Sequence, residues 1–188
     1  MTDSAQHADL AARAERIERR WASVSVSIIV LLVFMASFAG IHQATMPQSR
    51  TETVDPRTLA LSGEFIESNL GSALTPDGSV TLRLIGQQYS FTPFCMVVPT
   101  DTFITIRATS ADVVHGFMFT DSNVNTMLIP GYISVVTTRF SRPGERLMPC
   151  HEFCGVGHEG MWAHLKVIDR AAFIRDAQSQ PRLSCAGQ

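Results

Sequence analysis

The sequence predicts an all-β domain, a sandwich or barrel, carried behind one N-terminal transmembrane helix. Three observations carry that prediction. From Ser79 onward, short runs alternate apolar and polar residues between turn signals, the pattern of half-buried strands. Trp21 to Ile41 (WASVSVSIIVLLVFMASFAGI) contains no charged residue and is long enough to span a bilayer. At 188 residues the chain has room for one globular domain and an appendage. A formal net charge of −2 gives no electrostatic footprint for nucleic acid, and four cysteines are too few for a disulfide scaffold.

Residues 1–20 are polar and alanine-rich, with Arg13, Arg16, Arg19 and Arg20 spaced along a helix. Arginines ahead of an apolar span hold the N-terminus in the cytoplasm, which directs the C-terminal domain outward. Trp21, at the edge of the 21–41 span, suits the membrane interface. Ala36, Ser37 and Ala39 also offer small residues for signal-peptide cleavage, but the apolar run is long for a signal sequence and reads as an uncleaved anchor. Residues 42–78 carry Pro47, Pro56 and Pro76 among Gly, Ser and Thr, so they read as a surface linker. Within them, 59–70 is expected to form a short helix, with Ser62 near its start and Gly71 after it.

The β domain is expected over 79–169. Its clearest strands are 80–84, 103–107, 132–140 and 162–168. Turns are expected at Pro99-Thr-Asp101, Asp121-Ser-Asn123, Pro130-Gly131 and Pro143-Gly144. A tail, 170–188, opens with a short helical segment over 170–178. Cys95, in an apolar run, reads as a small buried hydrophobe. Whether it pairs with Cys185 in the tail is left open by the sequence.

The chemistry concentrates in Cys150-His-Glu-Phe-Cys154-Gly-Val-Gly-His158-Glu-Gly-Met161: two thiolates, an imidazole and a thioether within twelve residues. Soft sulfur donors with imidazole suit copper. A second imidazole is available upstream, in Asp112-Val-Val-His115. Two thiolates can bridge two metals, each then taking one His and one weak axial ligand, so the donor count fits a two-copper cluster better than a single copper. Three plainer readings compete. The spacing would also place the four residues on one helical stripe, but Gly155, Gly157 and Gly160 weaken a helix there. A Cys150–Cys154 disulfide leaves His115, His158 and Met161 unexplained, and tetrahedral zinc has no use for Met161.

The spacing Cys-x-x-x-Cys-x-x-x-His-x-x-Met, with the upstream His, resembles the CuA motif of cytochrome c oxidase subunit II. Ser110-Ala-Asp-Val-Val-His115-Gly-Phe, Leu128-Ile-Pro-Gly131 and Ser141-Arg-Pro-Gly-Glu145 are similar to segments of the same family, and the likeness runs from about Glu18 to Val167. It is nearest to the B-type haem-copper oxidases, whose subunit II has a single transmembrane helix. The resemblance implies a cupredoxin-like Greek-key barrel for the β domain. It implies Cys150 and Cys154 as bridging thiolates, His115 and His158 as terminal imidazoles and Met161 as a weak axial ligand. The backbone carbonyl of Glu152 would be the ligand on the other copper.

The resemblance also implies partners and roles. Subunit I would hold the haem and the oxygen chemistry, cytochrome c or a similar small redox protein would donate electrons, and the complex would sit in a bacterial or archaeal cell membrane. Tyr89, in Gly86-Gln-Gln-Tyr89-Ser-Phe91, aligns with the aromatic through which the family receives electrons. Glu18, in Ile17-Glu18-Arg-Arg-Trp21, aligns with a glutamate at the mouth of a proton path. In A-type members an acid at the position of Glu152 also reaches Mg²⁺, whereas many B-type members lack it. Asp112 would either orient a ligand imidazole or open a turn. His151 and His164 are not assigned to copper. Two alternatives come from different classes: a CuA-bearing nitric oxide reductase subunit, and a membrane-anchored copper chaperone or thiol reductase.

Overall fold

The computed structural model describes residues 2–42 and 51–185, which fall into two compact units. The first unit is built on one continuous helix, α1 (Thr2–His42), and it is long and apolar enough to cross a membrane. At about 1.5 Å per residue, the charge-free stretch spans roughly 31 Å, close to the thickness of a bilayer core. Arg13 pairs with Asp9 and Arg19 with Glu15 one turn apart along the polar end of the helix.

The second unit is made mostly of strands. They are β1 (Glu52–Thr53), β2 (Gly71–Leu74), β3 (Val80–Gln87), β4 (Ser90–Thr92), β5 (Cys95–Pro99), β6 (Ile104–Ser110), β7 (His115–Met118), β8 (Asn125–Leu128), β9 (Tyr132–Thr138), β10 (Gly144–Pro149) and β11 (Trp162–Ile168). One sheet runs β1-β9-β6-β3-β2, with β4 also paired to β3; a second runs β10-β11-β5; β7 and β8 form a hairpin. Two pairings, β3 with β6 and β5 with β11, are parallel, as a Greek-key barrel of cupredoxin type requires. Alternation fixes the inner faces: Val80, Leu82 and Leu84 of β3, Ile104, Ile106 and Ala108 of β6, and Ala163, Leu165 and Val167 of β11 all enter one core. The four expected strands appear close to their expected limits.

Two expectations are corrected. No helix forms over 59–70. That segment holds only a 3₁₀ turn at Glu67–Asn69, with another just ahead of it at Pro56–Thr58, and its Leu59, Phe65 and Leu70 are buried with Ile85 and Ile133 in a second small core. Residues from 51 on are therefore part of the folded domain, contributing β1 and β2 to its main sheet; the earlier part of the expected linker, 43–50, lies outside the described residues. Cys95, expected as a buried hydrophobe, is half-buried and disulfide-bonded to Cys185 across 90 positions of sequence. After α2 (Arg170–Ser179), which buries Phe173, the tail returns to the barrel. Leu183 exchanges backbone hydrogen bonds with Ser72, and the Cys185 N–H donates to the Cys95 carbonyl.

Candidate metal centre

Two strand ends and one loop meet at one end of the barrel. His115 begins β7, directly after the turn that follows β6, and the 150–161 loop joins β10 to β11. Backbone bonds tie these parts together: the Cys150 N–H donates to the Met161 carbonyl (2.9 Å), closing the loop on itself. The His151 N–H donates to the Gly116 carbonyl (3.1 Å), pinning the loop to β7. The loop is not an α-helix; it contains a single 3₁₀ turn, His158–Gly160.

The loop gathers soft donors in a buried place. His115, Cys150 and Cys154 bring their ligand atoms within 4.8 Å of one another. The two sulfurs are 4.0 Å apart and both cysteines are free, about twice the length of a disulfide bond. Each sulfur has its own imidazole. His115 Nδ1 lies 3.9 Å from Cys150 Sγ, and His158 Nδ1 lies 3.6 Å from Cys154 Sγ. Each also has a weak donor nearby: the Glu152 carbonyl oxygen at 3.3 Å from Cys150 Sγ, and Met161 Sδ at 3.7 Å from Cys154 Sγ. The residues therefore offer two similar half-sites around one pair of sulfurs, a donor set that fits copper.

The surroundings prepare these ligands. Nε2–H of His115 donates to Asp112 Oδ1 at 2.8 Å, which leaves the lone pair on Nδ1 and turns it toward Cys150. The same carboxylate accepts from the Val113 and Gln88 backbone N–H groups, so Asp112 both shapes the turn and holds the imidazole. Burial raises the Asp112 carboxyl, but the bonds from Gln88, His115 and Val113 outweigh it and hold it below the usual carboxylate range. Burial, followed by the neighbouring Cys150 sulfur, pushes the Cys154 thiol up to about 11. A metal must displace that proton to bind.

Sequence reasoning missed Gln88. Its backbone binds Asp112, and its Nε2–H donates to the Cys154 carbonyl at 2.6 Å, so one residue joins the His115 half of the site to the loop. Nothing in the sequence marks it, because both bonds depend on the β3–β4 turn arriving at the loop. Tyr89, next in that turn, is 41% exposed and lies flat against the loop. A Cβ on Gly157 would meet Tyr89 Cγ and Cδ2 at 2.8 Å, and one on Gly155, at φ +137°, would meet its hydroxyl at 2.6 Å. Phe153 and Val156 of the same loop are exposed at 77% and 91%.

The other histidines stay out of the donor set. His151 lies against Gly116, where any Cβ would collide with its ring, and its Nε2 is buried without a hydrogen-bond partner. His164, on β11, packs edge-on against Phe94 at 5.3 Å. Glu152 is half-buried, and Glu18 is exposed on α1, in the other unit.

Comparison with known proteins points to one family. The family profile described as cytochrome c oxidase subunit II, periplasmic domain, matches residues 80–168. A cytochrome c oxidase subunit 2 from Thermus thermophilus is 28% identical over 152 residues, covering 80% of this chain and 90% of that protein. A second Thermus thermophilus cytochrome c oxidase subunit 2 is 31% identical over 122 residues, 65% of this chain and 90% of the relative. Among solved structures, a chain of a haem-copper terminal oxidase dimer superposes with a TM-score of 0.55 at 25% identity, covering 79% of this chain and 99% of that one.

Proposed function

The chain belongs to the cytochrome c oxidase subunit II family, and from that membership we propose that it receives electrons at a two-copper CuA centre and passes them to haem in subunit I. As a subunit II it is a copper-binding, membrane-anchored component of an oxidoreductase complex, and its partner is subunit I. Oxygen reduction and the linked proton translocation belong to that partner. The observation that carries the reading is the doubled donor set. Two sulfurs 4.0 Å apart each have a histidine Nδ1 within 3.9 Å, with a thioether on one side and a carbonyl oxygen on the other.

In this reading Cys150 and Cys154 bridge, His115 and His158 are terminal, and Met161 and the Glu152 carbonyl are weak ligands. Bound copper supplies a one-electron couple; the chain supplies a rigid frame that limits rearrangement between oxidation states. Asp112 fixes the His115 ring, Gln88 ties the loop to it, and the burial of His115, Cys150, Cys154 and Met161 keeps water from the donors. The test is the EPR spectrum of the copper-loaded full chain in detergent. One unpaired electron split by two equivalent copper nuclei is expected; a single-copper spectrum would end the two-copper reading.

Tyr89 is proposed as the electron-receiving aromatic, a role its family resemblance implies and its exposure beside the 150–161 loop supports. Tyr89→Ala should slow electron uptake from cytochrome c with copper content intact; an unchanged rate would remove the role. Glu18 is proposed at the cytoplasmic mouth of a proton path, on the outward orientation of the copper domain in a prokaryotic membrane. Unaltered proton uptake in a Glu18→Gln oxidase would remove it. The Glu152 side chain is proposed to reach Mg²⁺ at the subunit I interface, and an assembled oxidase without stoichiometric Mg²⁺ or Mn²⁺ would exclude that.

A further inference from the structure

A second polar site lies at the opposite end of the barrel from the copper ligands. The strand register places it there: Thr138 pairs with Ile104 at one end of β6, whereas Ser110, at the other end, leads into Asp112 and His115. A cavity of about 560 Å³ opens here between the β9–β10 connection and the turn after β7. Arg139, Arg142 and Arg146 line it together with Ser122, Asn123 and a single acid, Asp121.

Arg146 is the residue that needs explaining. On β10 it shares its face with Met148, which is fully buried in the core, so the two-residue period turns Arg146 inward. An inward-facing charge ordinarily has a counter-charge. Among the described residues Arg146 has none: its Nε is buried with no hydrogen-bond partner, and its one hydrogen bond there runs from Nη1 to the neighbouring Glu145 carbonyl. Among the described residues no carboxylate lies within 4.0 Å of any of the three guanidiniums, Asp121 included. Arg139 is steadied from outside by the Phe103 ring, 5.8 Å from its Cζ. Three guanidiniums against one carboxylate leave the cavity with two uncompensated positive charges.

We propose that this cavity binds a soluble organic phosphate carrying at least two negative charges, of the nucleoside diphosphate class. Guanidinium forks match phosphate oxygens in pairs, and three of them can be shared between two adjacent phosphates. The Ser122 hydroxyl and Asn123 amide are neutral hydrogen-bonding groups on the same rim. The volume exceeds what inorganic phosphate fills and lies within the usual range for small-molecule sites. An occupant here would not compete with copper. It would, however, touch the start of β10 and the turn after β7, the two strands that carry Cys150 and His115 at their other ends.

The test is calorimetric titration of the copper-loaded full chain in detergent with ADP, pyrophosphate, inorganic phosphate and a short-chain phosphatidic acid. Saturable one-site binding of ADP and pyrophosphate is expected, with Kd below about 1 mM and inorganic phosphate weaker. Arg146→Gln should weaken it at least about tenfold, and so should Arg142→Gln, an exposed position whose loss leaves the core intact; an unchanged copper spectrum checks the fold of both. The proposal fails if no probe saturates, or if phosphatidic acid binds in preference to ADP. It also fails if binding persists in both variants and is lost instead when Arg13, Arg16 and Arg20 of α1 are replaced.

Discussion

Asp112 shows how much one side chain contributes to the metal centre. Its carboxylate accepts from His115 Nε2 and from two backbone N–H groups, so it selects the tautomer that frees Nδ1 for a metal. Its lowered pKa keeps it charged throughout the neutral range. Asp112→Asn should reduce copper affinity about 10- to 100-fold in competition with a chelator. An affinity equal to wild type would reduce Asp112 to a turn-former. The same titration reports on Cys154. Its thiol, held up to about 11, carries a proton at neutral pH, so apparent affinity should rise about tenfold per pH unit for that proton, in wild type and variant alike. A flat profile would mean that the thiol is already ionised without metal. The proposed donors could be picked out because five of the six fall in one short loop whose residue types have few other uses together. Gln88 could not, because both its partners are remote in sequence. Neither could the Cys95–Cys185 pair, which forms only when the tail returns to β2 and β5.

At the scale of elements, the strands were readable and the covering segment was not. Strands β3 and β6 alternate so regularly that their inner faces can be read directly, but the same alternation puts Arg83 and Arg107 on the outer face of the sheet. Those arginines are what the 51–70 segment binds. Glu64 pairs with both, at 2.9 Å from Arg83 and in close contact with Arg107, while Glu52 takes the other side of Arg107 at 2.5 Å. The apolar residues of 59–70 suggested a helix, yet Phe65 and Leu70 are spaced to bury against Ile85 and Ile133 without one. Tertiary contact overrides local pattern there. Burial raises the Glu64 carboxyl, but Arg107 and Arg83 together bring it below its ordinary value. Its folded pKa therefore lies under its unfolded one, so its contribution is full above the usual carboxylate range and disappears as pH falls through the folded value. Glu64→Gln should cost about 1–2 kcal/mol in urea unfolding at neutral pH, and the gap to wild type should narrow in acid. A gap independent of pH would show that the ion pairs do not hold the segment.

At the scale of the whole molecule, the apolar helix and the copper-binding barrel divide anchoring from metal binding, and under the proposed function the surface of the barrel bears on how a donor docks. Beyond residue 43 the chain carries 13 acidic and 11 basic residues, too even a balance to generate a strong steering field. What protrudes from the candidate ligand loop is largely apolar: Phe153 and Val156 are its most exposed large side chains, and Tyr89 lies against Gly155 and Gly157 of the same loop. A donor that docks there gains from excluding water over the loop more than from long-range attraction. Electron uptake by the assembled oxidase from cytochrome c should accordingly fall by less than about threefold as salt rises from about 20 to 200 mM. Val156→Asp, which puts a charge into the contact and leaves every copper ligand in place, should slow the same second-order rate by about tenfold or more. A rate that collapsed with salt but tolerated Val156→Asp would place the docking on charged groups away from the loop, and the route through Tyr89 would then have to be abandoned with it.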